Sequence, residues 1–99
     1  MVKLIIWSRV ANVSKNEILD YWIKRNQSNK FSKNPGKLFK EAVEVIAQFP
    51  LAGKPTSRVD IRIKIVKEYL IFYKISQDKI LILLVRDGRR NPKDLQWSY

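Results

Sequence analysis

Between Ile61 and Pro92 the chain reads IRIKIVKEYLIFYKISQDKILILLVRDGRRNP, and no other stretch restricts the fold as strongly. Ile61, Ile63 and Ile65 alternate with Arg62 and Lys64, the period of a half-buried β-strand. Two further apolar runs follow across short polar breaks, so the stretch predicts an antiparallel three-stranded meander. The isoleucine face requires a cover, and the cationic face invites an anion.

The pattern also argues for a register. A two-residue loop at Lys67 and Glu68 puts Lys74 opposite Ile61. A three-residue loop, Lys67 to Tyr69, pairs Ile61 with Ile75, Ile63 with Tyr73 and Ile65 with Ile71, and keeps lysine off the core face. The second is favoured. It sets Arg62 opposite Lys74 and Lys64 opposite Phe72, a cationic strip with one aromatic ring on the outer face. Like charges that face one another repel, and a bound anion or solvent screening relieves that repulsion.

The last strand, Ile80 to Val85, is apolar at every position, as a central strand is when both faces are covered. It delivers the chain to Arg86, Asp87, Gly88, Arg89, Arg90, Asn91 and Pro92. Gly88 is expected to turn with positive φ and Pro92 to end the ladder, so guanidiniums emerge at a strand end. A planar guanidinium holds phosphate through two hydrogen bonds. The alternative is a solubilising turn in which Asp87 pairs with a neighbouring arginine.

Upstream, Lys3 to Ser8 reads as a short strand, with apolar residues on both faces and so covered on both. Val13, Ser14, Glu17 and Ile18 match a capping box with a hydrophobic staple, which predicts a helix from Lys15 to Arg25. Its apolar stripe is Ile18, Leu19, Tyr21, Trp22 and Ile23. After the polar run Asn26 to Lys30, a second helix is expected from Ser32 or Asn34, with Pro35 in its first turn and an end before Pro50. Leu38, Phe39, Ala42, Val43, Val45, Ile46 and Phe49 fall at helical spacing. The two helices form an antiparallel hairpin expected to cover the Ile61, Ile63 and Ile65 face. Gly53 and Pro55 make Leu51 to Val59 a turn. The expected class is α+β: an N-terminal strand, a helical hairpin, then a meander, with one sheet packed on two helices in a single domain spanning residues 1–99.

Composition narrows the function. The chain has 99 residues and is 45% hydrophobic, enough for one globular core. No apolar run reaches the roughly 18–20 residues of a membrane span, and Leu4 to Trp7 is too brief for a signal peptide, so a cytoplasmic protein with no membrane partner is expected. With no cysteine and no histidine, disulfides, the usual zinc and iron sites and a histidine base are excluded, and no cofactor is expected. Lys and Arg number 20 against 9 Asp and Glu, a net charge of +11. The excess is spread: ten cations and four acids in residues 1–56, ten and five in 57–99. Such a charge suits a polyanionic partner or an acidic protein segment, or else a generally solvated basic surface.

Taken in order, these pieces resemble the RelE/ParE superfamily of small bacterial toxins. The resemblance lies in the order strand, helical hairpin and meander, with FPLAGKPT at the helix exit, RIKIVKEYLIFYKI in the middle and RDGRRNP at the end. It covers nearly the whole chain. It implies a type II toxin–antitoxin module in which an acidic or amphipathic antitoxin wraps the toxin. In the RelE-like branch, which cuts messenger RNA on the ribosome, the resemblance gives Lys64 the role of general base and Arg62 that of stabilising the charged phosphate. Arg90 would steady the transition state or serve the leaving oxygen. Neighbouring cations, Arg62 and Lys74, pull a lysine pKa toward neutrality. Lys74, Phe72, Arg86, Arg89 and Trp97 would then contact RNA. Trp97 or Tyr99 either stacks on a base or packs on Leu81 and Leu83. Leu70 stands where most nuclease members hold an arginine, and Thr56 lies near where another branch has a glutamate base. The closing RRNP is common among ParE-type members, which poison DNA gyrase without catalysis. A metal-independent ribosome-dependent endoribonuclease is the favoured expectation; the alternatives are a gyrase inhibitor and a degenerate toxin that only binds antitoxin.

Overall fold

The computed structural model describes residues 2–25 and 34–88. Its elements are β1 (Leu4–Trp7), α1 (Arg9–Arg25), α2 (Pro35–Gln48), a 3-10 turn (Pro50–Ala52), β2 (Lys54–Pro55), β3 (Ile61–Val66), β4 (Tyr69–Ile75) and β5 (Lys79–Asp87). The strands form one sheet in the order β1-β5-β4-β3-β2. β1 runs parallel to β5, while β5, β4, β3 and β2 are successively antiparallel. The α+β class agrees with the sequence reading, and β5 is an interior strand, between β1 and β4, as its unbroken apolar run predicted. The two-residue β2 was not foreseen.

α1 begins six residues earlier than the capping box at Ser14 predicted. Ser8 is the cap: its Oγ accepts the Ala11 N–H at 3.0 Å, and its carbonyl accepts the Asn12 N–H at 2.9 Å. The reason is tertiary. β1 stops at Trp7 while β5 continues, so Ser8 takes over the exposed edge of β5, its N–H donating to the Ile82 carbonyl and its Oγ to that of Leu83. Ser14 extends the same arrangement nearly two turns later: its Oγ bonds back to the Val10 carbonyl at 3.0 Å and accepts the Val85 N–H at 3.3 Å. No staple forms, since Val13 is 51% exposed. α2 is capped by Asn34, whose side chain accepts the Gly36 N–H at 2.8 Å, and it ends before Pro50 as expected.

The core lies between the helices and one sheet face. Phe39, Ala42, Val43 and Ile46 of α2 and Ala11 of α1 meet Tyr69, Ile71, Tyr73, Ile80, Ile82 and Val85, with Ile5 and Trp7 of β1 packed at the side. Phe39 and Tyr69 meet edge to face, ring centroids 5.2 Å apart. Val45 and Phe49, counted into the apolar stripe, point away from it and are exposed, as are Tyr21 and Ile23 of α1.

The largest departure concerns the β3 hairpin. It turns through two residues, Lys67 and Glu68, so that Ile61 faces Lys74, Ile63 faces Phe72 and Ile65 faces Leu70. Lys67 adopts φ 54° to make so tight a turn. Arg62 and Lys64 therefore stand opposite Tyr73 and Ile71, on the helix side of the sheet, and the three isoleucines share the other side with Leu70 and Phe72. The expected three-residue loop, the pairing of Arg62 with Lys74 and the helix cover over the isoleucines are all overturned. The physical reason is that both faces of this sheet are apolar: Tyr69, Ile71, Tyr73 and Ile75 alternate with Leu70 and Phe72. Alternation says which residues share a face, not which face the helices cover. Nor is β1 covered twice, for Leu4 is 65% exposed on the side away from the helices. A bulge between Phe72 and Tyr73 shifts the β4–β5 register by one residue. Gly88 has no positive φ; its N–H approaches the Glu68 carbonyl at 2.6 Å, where an added Cβ would lie 3.0 Å from the same oxygen. Among the described residues no helix is long and apolar enough to cross a membrane.

Candidate functional site: the α2–β3 junction and its cations

Arg62 sits where the α2 exit folds back over the sheet. Its Nη1 donates to the Gly53 carbonyl at 2.7 Å and, at 3.4 Å, to that of Leu51. Its Nε is buried without a hydrogen-bond partner. Beside it the Tyr73 hydroxyl donates to the Pro50 carbonyl at 2.7 Å and accepts the Gly53 N–H at 2.9 Å. Gly53 is required by that approach, because a Cβ there would lie 2.6 Å from the phenolic oxygen and 2.9 Å from the Ile63 carbonyl. Burial raises the Tyr73 pKa above its ordinary 10.0, partly offset by the Gly53 hydrogen bond and the Arg62 charge. The phenol is therefore a neutral donor, and the two β-strand side chains tie down three of the four peptide carbonyls of residues 50–53, those of 50, 51 and 53.

The other cations expected to form a site are divided between the two faces. Lys64 lies half-buried on the Arg62 face, opposite Ile71. Lys74 lies on the other face, between Ile61 and Leu81, and pairs with Asp60 at 3.7 Å; Asp60 also meets Arg58 at 3.9 Å. Phe72, 2% exposed, stands between Ile63 and Leu84 on the Lys74 side. The fold brings Arg62 and Lys64 together and separates both from Lys74 and Phe72. Arg86 is opposite Leu70 near the end of β5. Arg89, Arg90 and Trp97 lie outside the described residues, as does Tyr99.

A cleft of about 480 Å³ opens between α1 and the ends of β4 and β5, its walls including Glu17, Tyr21, Tyr69, Arg86 and Asp87. Carboxylates, phenols and a guanidinium there can form polar contacts to a ligand of either charge. Among the described residues no three side chains of metal-binding type converge. Sequence reasoning missed the roles of Tyr73, Gly53 and Ser8. Gly53 and Tyr73 are 20 positions apart, and only the fold makes them neighbours.

Comparison with known proteins adds the family. The profile of the ParE toxin of the type II toxin–antitoxin system parDE matches residues 5–92. Among solved structures, the chromosomal ParDE toxin–antitoxin system from P. aeruginosa contains a chain that superposes with a TM-score of 0.68 at 16% identity, over 87% of this chain and 96% of that one. No curated protein matches the sequence.

Proposed function

Because this chain belongs to the ParE toxin family of type II toxin–antitoxin systems, we propose that it acts by binding a protein target, DNA gyrase, and not by cutting RNA. Its membership also gives it an antitoxin as partner. The observation that supports binding is the position of Arg62: the guanidinium meant to stabilise a phosphate is tied to the carbonyls of Gly53 and Leu51. Charge-assisted hydrogen bonds of this kind are among the stronger ones, and a phosphate would have to compete with them. Lys74, the second cation expected beside Lys64, faces the opposite side and an aspartate. In a supercoiling assay the purified protein is expected to inhibit gyrase, and added antitoxin to restore activity.

One observation favours the nuclease reading: Arg62 and Lys64 share a face of β3. In that reading Lys64 is the base and Arg90 completes the site. Primer extension on messenger RNA after brief induction distinguishes the two. New 5′ ends within codons that vanish in Lys64→Ala, with supercoiling untouched, would establish the nuclease and overturn the gyrase reading.

A further inference from the structure

The α2 exit combines exposed apolar side chains with a fixed backbone. Phe49 is 64% and Leu51 69% exposed on either side of Pro50, and Val45, one helical turn earlier, is 41% exposed. A single exposed apolar residue is ordinary, but several together form the kind of patch that marks an interaction surface. The backbone beneath them is held from several directions. The Phe49 N–H donates to the Val45 carbonyl at 2.8 Å and the Ala52 N–H to that of Phe49 at 2.9 Å. Tyr73 and Arg62 secure the carbonyls of Pro50, Leu51 and Gly53.

We propose that Phe49 and Leu51 are the anchors by which this toxin docks on its target protein, entering an apolar pocket rimmed by carboxylates. The inference rests on the reading that the toxin acts by binding a protein, and it names the surface. Anchors on a backbone already fixed lose little conformational freedom on docking, and aromatic residues are frequent binding hot spots. Apolar side chains this exposed on a fixed backbone suit a preformed pocket on a folded partner. Exposed Lys54 next to the patch, on a chain of net charge +11, calls for acidic groups at the rim.

The test uses the full chain with two changes, Phe49→Ser and Leu51→Ser, and separately Lys54→Glu. Inhibition of supercoiling is expected to weaken at least about tenfold in the double variant and growth arrest on induction to be lost. Antitoxin affinity and thermal midpoint should stay near those of the parent. Lys54→Glu should weaken inhibition in the same direction without touching an apolar residue. Growth arrest and inhibition at parental strength in both variants would overturn the proposal. So would a parallel loss of antitoxin affinity, which assigns the patch to the antitoxin, or conversion of a dimer to a monomer, which assigns it to a second copy. Should the parent protein leave gyrase untouched, the gyrase reading fails, and growth arrest with retained antitoxin binding still decides whether this patch meets the target.

Discussion

Arg62 and Lys64 look equivalent in the sequence, two cations on alternate positions of one strand. Their surroundings make them different. Arg62 carries hydrogen bonds to two backbone carbonyls, and bonds from a charged donor are worth about 1.5–3 kcal/mol each. Arg62→Met should therefore lower unfolding free energy by roughly 2 kcal/mol in urea titration, whereas Lys64→Ala should change it by less than about 0.5 kcal/mol. Equal effects would remove the structural role given to Arg62. Tyr73 makes a second prediction. Its folded pKa is raised above 10.0 by burial, so the neutral phenol is the form the fold prefers. The stability it contributes is complete below pH 10 and is lost as pH rises from there through the folded pKa. Tyr73→Phe should be less stable at neutral pH, having lost both hydrogen bonds, and should show a shallower alkaline decline in a pH series of thermal midpoints.

At the scale of elements, the local signals in the sequence were strongest where one residue decides an end. Asn34 with Pro35 set the start of α2, and Pro50 its stop. The Ser14 signal was misleading because a better competitor, Ser8, meets the free edge of β5, and no reading of α1 alone contains that edge. The hairpin after β3 carries the same lesson. Keeping Lys74 off the core side argued for a longer loop, yet that position lies on the face away from the helices, beside Asp60, where an ammonium is well placed. Lys67 bears the strain of the shorter turn at φ 54°, where a side chain costs about 1–2 kcal/mol. Lys67→Gly is expected to raise stability by about 0.5 kcal/mol, the relief being offset by glycine's larger entropy loss. Lys67→Val should lower it by about 1 kcal/mol or more, since β-branched residues tolerate positive φ least. Denaturant midpoints at constant slope would measure both.

For the molecule as a whole, the sheet separates two jobs. One face makes the core with α1 and α2, and the other carries Ile63, Ile65, Leu70 and Leu81 away from the helices. Ile82, fully buried on the helix side, and Ile65, 46% exposed on the other, test that division. Ile82→Ala should cost about 2–5 kcal/mol, as cavity-forming changes in a core do. Ile65→Ala should cost well under half as much; similar losses would mean that the assignment of faces is wrong. The Tyr73–Gly53–Arg62 contacts, reaching from the sheet to the chain that leaves α2, hold that exit in place.

Periodicity and capping chemistry by themselves determined the α+β class, the order of strand, hairpin and meander, the interior place of β5 and the two cations that share a face of β3. These depend on neighbours a few residues apart, whose geometry the backbone fixes. Only the tertiary structure decided which face of the sheet the helices cover, where α1 begins, and that Arg62 serves the α2 exit. Each of those outcomes is set by a partner far along the chain: Leu83 for Ser8, Tyr73 for Gly53, and two apolar sheet faces competing for one pair of helices. Alternation is symmetric between the two faces of a sheet, and only packing breaks that symmetry.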